Sequence, residues 1–208
     1  MRYFAAIAAL IILASCAPVS AAEKLANGGF ESGDTAGWAS GPYGSASVVA
    51  SGTYSVQAAE GSCFLDADLT RYDRWPKTVL SQVTTLPLTN TWYEITGWIY
   101  VHFTGDPVLK QASLSVDWGD GTIDRCVPSA YDAWGLVGTA HLARFSAPTS
   151  VTVYLEVYGD PLEPGDLALF DGISLYEYSG AVPEPGSLSA LAVLLGAPPL
   201  AARRTRGR

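Results

Sequence analysis

TWYEITGWIYVHF, residues 91 to 103, alternates with a period of two. Tyr93, Ile95, Ile99, Val101 and Phe103 fall on one side of an extended chain, and Trp92, Glu94, Trp98, Tyr100 and His102 on the other. That is the pattern of a strand with one face in a core. The same pattern recurs to either side. In SLSVDW, residues 113 to 118, Leu114, Val116 and Trp118 oppose Ser113, Ser115 and Asp117. In VTVYLEVYG, residues 151 to 159, Val151, Val153, Leu155 and Val157 oppose Thr152, Tyr154, Glu156 and Tyr158. ALFDGISLYEY, residues 168 to 178, supplies a last strand. Helical periodicity is weak, and Gly, Pro, Ser and Thr punctuate the chain between these runs. The expected fold is therefore all-β, an antiparallel β-sandwich or jelly roll.

Outside these strands the ends differ in kind. Residues 1–22 read as a signal peptide: Arg2, an apolar run from Phe4 to Ala14, then small residues at Val19-Ser20-Ala21 or Ser20-Ala21-Ala22. Leu13-Ala14-Ser15-Cys16 also resembles a lipobox, so lipidation of Cys16 stands beside ordinary cleavage. The expected folded body is residues 23–180. The chain carries 20 Asp+Glu and 12 Lys+Arg; Glu184, Arg2 and four tail arginines lie outside the body, which leaves it with a net charge of about −12. Such a body repels phosphate backbones, which excludes nucleic acid as a partner. Cys63 and Cys126, in an exported protein, suggest one disulfide, against the alternative of two separate buried thiols. Closing that loop would stabilise by roughly 4 kcal/mol in the chain-entropy model.

The tail, residues 181–208, holds Val182-Pro183-Glu184-Pro185-Gly186, an apolar run over 188–202, and a basic end with Arg203, Arg204, Arg206 and Arg208. As a helix the run would span about 22 Å, short of a hydrocarbon core of about 30 Å, and Pro198-Pro199 interrupts it. The arginines would hold the terminus on the cytoplasmic side. With the signal this makes a hairpin, both ends inside and the acidic body outside. The tripartite order resembles the PEP-CTERM sorting signal of exopolysaccharide-producing Gram-negative bacteria. The resemblance implies a short transmembrane segment, recognition by an exosortase-type membrane protease, removal of the tail, and delivery to the cell surface or extracellular matrix.

LANGGFESGDTAGW, residues 25 to 38, resembles the opening of carbohydrate-binding-module-like domains with the galactose-binding-like jelly roll. Asp171-Gly172-Ile173-Ser174-Leu175 resembles their closing strand, and SQVTTLPLTNTWYEITGWIYV, residues 81 to 101, their central strand pair. The resemblance implies a scaffold shared by sugar-binding modules and by extracellular proteins without a ligand. It also implies a structural Ca²⁺ tying the N-terminal segment to the final strand through Glu31 and Asp171, with carbonyls and water completing the oxygen shell. The alternative is that Glu31 caps a turn and Asp171 merely precedes a strand.

The outward residues Trp98, Tyr100 and His102, with Tyr154, Glu156 and Tyr158, form a candidate sugar platform: flat rings stack on sugar C–H faces while Glu and His hold hydroxyls. The alternative is a second core layer under loops. Tyr72, Trp75, Tyr131 and Trp134, read as loop aromatics, are a rival platform. SVDWGDGT, residues 115 to 122, lacks the EF-hand order and reads as a hairpin turn at Asp120-Gly121. No GxSxG, HExxH or P-loop occurs, and the two histidines, His102 and His141, carry no catalytic signature. The expectation is a non-catalytic exported protein contacting polysaccharide. Its rivals are a purely structural or adhesive surface protein and a glycan-active enzyme, which needs two carboxyls about 5 to 9.5 Å apart in a cleft.

Overall fold

Residues 20–41, 45–68, 77–87, 90–104, 110–159, 163 and 165–179 are described by the computed structural model. The signal core, Cys16, the motif Val182–Gly186 with Arg203, Arg204 and Arg206, and Tyr72 and Trp75 lie outside them. Among the described residues no helix is long and apolar enough to cross a membrane.

Among the described residues, eleven strands make two antiparallel sheets. The first runs β3 (Ala46–Ala50), β4 (Cys63–Ala67), β11 (Leu167–Ser179), β6 (Asn90–His102) and β9 (Trp134–Arg144), with β1 (Ser20–Glu23) also paired to β11. The second runs β2 (Ala39–Ser40), β5 (Lys77–Leu86), β10 (Thr149–Tyr158), β7 (Gln111–Asp117) and β8 (Ile123–Cys126). In β6 and β10 the alternation read from the sequence is the alternation of burial; in β7 it is not, because Ser113 and Ser115, expected outside, are buried as well. Tyr93, Ile95, Ile99 and Val101 of β6 face Leu114 and Val116 of β7 and Val151, Val153, Leu155 and Val157 of β10 in one continuous core. Each such side chain contributes roughly 1.5 to 3 kcal/mol on leaving water. Trp118, fully buried, extends that core past the end of β7. The turn after it is the expected hairpin: Trp118 N donates to Thr122 O, and the Asp120 carboxylate accepts from Thr122 N.

β11 is the hinge of the first sheet. It pairs with β6 along one side, and on the other with β4 at Leu169 and Phe170 and then with β1 from Tyr176 to Ser179. Its ladder slips between Asp171 and Ser174, where Gly172 takes φ 56°. The N-terminal segment fills the slip. Ile173 N donates to Gly28 O at 2.9 Å, and Lys24 N to Leu175 O at 2.8 Å. A Cβ on Gly28 would sit 1.7 Å from the Ile173 carbonyl oxygen, so only glycine admits this approach. The opening and closing motifs of the sequence are thus two halves of one contact.

The disulfide expectation is corrected. Cys63 and Cys126 are free thiols. Cys63 opens β4, near one edge of the first sheet, whereas Cys126 ends β8 and lines a hollow with β9, at the opposite edge. From β4 to β9 is three strand steps, about 14 Å at the usual spacing. A disulfide needs Cα atoms within about 7 Å.

Candidate functional site

The six platform residues do not share a face. Trp98, Tyr100 and His102 project from β6 on the outside of the first sheet, and Tyr154, Glu156 and Tyr158 from β10 on the outside of the second. The sandwich stands between them.

The first outer face is covered. The segment from Ser51 to Ser62 folds across it and, with Val56, Phe64 and Leu169, makes a second small apolar cluster against Tyr100 and Trp134. Trp134, read as a loop aromatic, opens strand β9; its ring lies 5.8 Å from Tyr100 and 5.9 Å from Phe64, both edge-on. The covering segment is pinned by indoles: Trp98 Nε1 donates to Glu60 Oε1 at 3.1 Å, and Trp134 Nε1 to Gln57 O at 2.7 Å. Here the second-layer alternative holds. His102, at the end of this face, bonds Asp132 through Nδ1, and His141 bonds Asp120 while stacking on Trp118 at 4.6 Å.

On the second outer face Tyr154, Glu156 and Tyr158 are half-buried, while Ser113 and Ser115 beside them are buried. Tyr154, Glu156 and Tyr158 stand beside Ser115, Ser113 and Gln111 of β7 by strand register, and Arg125 of β8 lies opposite Ser115. Two hollows adjoin there. One, of about 170 Å³, is lined by Gln111, Ser113, Arg125, Glu156 and Tyr158. The other, of about 240 Å³, shares Gln111 and Tyr158 and reaches Phe103, Pro128 and Tyr131, with Phe103 and Tyr131 edge-on at 6.3 Å. Together they form a groove that passes from polar floor to aromatic end. Arg125 and Glu156 of its lining close a triad with the buried Ser115: Ser115 Oγ donates to Glu156 Oε2 at 2.6 Å, while Arg125 reaches Ser115 Oγ through Nε and Glu156 Oε2 through Nη2, each at 3.2 Å. Below the aromatic end lies a buried ion pair. Lys110 Nζ donates to Asp166 Oδ2 at 2.8 Å, and Asp166 also accepts from Thr104 and from Glu163 N. Burial alone would raise the Asp166 carboxyl, but the Glu163 amide, the Lys110 ammonium and Thr104 outweigh it and hold it below the usual range.

Arg125, Gln111 and the two serines were not singled out in the sequence. Ser113 and Ser115 were legible as an outward pair, but nothing local said that β7 runs beside β10. β8 has four residues, too few for periodicity to place Arg125.

Glu31 and Asp171 converge on one loop. Glu31 accepts from Cys63 N and from Ser62 N and Oγ, which holds its carboxyl below the ordinary range. Asp171 is fully buried and accepts from Glu60 N and Gly172 N. Burial pushes its carboxyl up to about 6, the amide donors pull against that, and the nearby Glu60 carboxylate adds to the rise. The donors are oxygen, as a hard cation requires, but among the described residues no three His, Cys, Asp or Glu side chains converge on one point.

No protein-family model and no curated protein matches the chain. Solved structures do. A carbohydrate-binding module of family 61 in complex with β-1,4-galactotriose is 16% identical, covers 74% of this chain and 97% of its own, and superposes with a TM-score of 0.53. The CBM22-1 xylan-binding domain of Paenibacillus barcinonensis Xyn10C is 18% identical over 78% of this chain and 97% of its own, TM-score 0.54. A cyclase from Fischerella sp. TAU is 18% identical over 78% and 100%, TM-score 0.59. The likeness is one of fold: the chain is an antiparallel β-sandwich of the jelly-roll kind that these modules share.

Proposed function

We propose that this is an exported, non-catalytic surface or matrix protein whose jelly roll binds polysaccharide along the outer face of the β2-β5-β10-β7-β8 sheet. One observation carries the reading: on this outer face the rings of Tyr154 and Tyr158 stand beside a hollow lined by Gln111, Ser113, Arg125 and Glu156, whereas the Ser51–Ser62 segment packs over the other face. Rings on a rigid strand supply stacking at low entropic cost, and the polar floor supplies hydroxyl partners. Of the solved structures alike in fold, one is a module in complex with β-1,4-galactotriose and another a xylan-binding domain, which makes those glycans the first to try.

The test is retention in native gels containing soluble xylan or β-1,4-galactan. Tyr154→Ala with Tyr158→Ala should lose roughly tenfold in affinity at unchanged melting temperature. An unretained wild type would favour the structural or adhesive reading, and unchanged retention in the double variant would move the site elsewhere.

The proposal includes a structural Ca²⁺ held by Glu31 and Asp171 with carbonyls, supported by a buried carboxyl near 6 that a cation would return to its ionised form. It also includes export and sorting through the tail to an exosortase-type protease. Support comes from the two ends of the described chain: Ser20 pairs with Ser179 across β1 and β11, so those two ends lie side by side.

A further inference from the structure

We infer that Glu156 is a specificity determinant of the groove: by holding Arg125 in the triad with Ser115, it keeps anionic sugars out and restricts the ligand to uncharged glycans. This rests on the polysaccharide reading of that face and names the class of sugar it takes.

Among the described residues, the basic side chains lining the two hollows are Lys110 and Arg125. Both are already partnered. Lys110 is 3% exposed, sealed against Asp166 and the Thr104 carbonyl, and cannot reach a ligand. Arg125 is different: its side chain is 46% exposed, at the rim, where a uronate or sulfate would first arrive. An arginine so placed is an ordinary receptor for a carboxylate, which it grips through two parallel N–H groups. Glu156 occupies that role from within the sheet. At 14% exposed it is largely dry, and it depends on Arg125 and Ser115 for its hydrogen bonds. An incoming anion would have to draw Arg125 away and leave Glu156 charged and short of a partner, a costly exchange. The acidic body, at a net charge of about −12, adds a repulsive field. What remains on offer is neutral: the Gln111 amide and the Tyr158 ring.

The test compares the full chain with Glu156→Gln, which keeps the shape of the side chain and an acceptor for Ser115 while releasing the charge of Arg125. Retention is measured on xylan, β-1,4-galactan and polygalacturonate at low and high NaCl. The wild type should bind a neutral glycan equally at both salt concentrations and leave polygalacturonate unretained. Glu156→Gln should gain roughly tenfold in retention on polygalacturonate, a gain abolished by salt and by adding Arg125→Gln. Wild-type binding to polygalacturonate that weakens with salt would overturn the inference and leave the polysaccharide reading standing. So would a folded Glu156→Gln that holds neutral glycan and gains nothing. Binding to none of the three by either protein would overturn both. If Glu156→Gln does not fold, the wild-type salt series decides: salt-sensitive retention is the overturning result.

Discussion

Asp171 is the residue whose charge and position pull hardest against each other. It sits fully buried at the slip in β11, beside Glu60, with its carboxyl raised to about 6 against an ordinary 3.8. The native state therefore holds this proton more tightly than the unfolded chain does. The stability it contributes is complete below pH 4 and is lost as the pH rises through about 6. In calcium-free buffer, melting should show a fall worth roughly 2 to 3 kcal/mol between pH 4 and 7, which Asp171→Asn removes. Added Ca²⁺ should remove it too if the cation sits there; a pH profile insensitive to both would sink the calcium proposal and the burial argument together. Gly28 offers a purely steric counterpart. Gly28→Ala sets a methyl group against the Ile173 carbonyl, 1.7 Å away before any relaxation, and should cost about 1 to 3 kcal/mol in urea unfolding at every pH.

At the scale of elements, the strands themselves were legible and their neighbours were not. The period of two in residues 91–103, 113–118 and 151–158 placed the core face of β6, β7 and β10, because burial imposes that period on a strand with one wetter side; it missed that Ser113 and Ser115 of β7 are buried too. It could not say that β6 and β10 belong to different sheets, which is a matter of long-range pairing, so Trp98 and Tyr154 looked like one surface. Nor did it reveal the lid over β6, since Ser51 to Ser62 has no periodicity and gains its place from Glu60, Gln57 and two indoles. The two faces therefore separate by mutation. Trp98→Ala should free the Ser51–Ser62 segment, read as faster proteolysis or amide exchange there, with glycan retention unchanged; Tyr154→Ala with Tyr158→Ala should do the reverse. The Lys110–Asp166 pair ties the segment after β6 to the segment before β11. Asp166→Ala leaves the ammonium buried alone and should cost about 3 to 5 kcal/mol by denaturant melting.

For the whole molecule, the decisive geometry is where the chain enters and leaves. The opening and closing motifs were recognisable as sequence, but that they touch follows from β1 and the Gly28 segment running along β11, with Ser20 opposite Ser179. A hairpin precursor needs such an arrangement, because leader and tail must reach one membrane from one edge of the body. Cleavage after Ala22 would retain Glu23, whose Oε1 accepts from Leu175 N and locks the new N-terminus to the strand that leads into the tail. Intact mass of the protein from membrane and medium should then show a released form beginning at Glu23 and lacking Arg203 to Arg208. Replacing Pro183, Glu184 and Pro185 by alanine should leave the melting temperature of the body unchanged and hold the precursor in the membrane. Release of that variant at the normal rate and mass would make the tail an anchor rather than an address. A lipid mass on Cys16 would instead fix the N-terminus to a membrane through 16–19 while leaving the Ser20–Ser179 pairing intact.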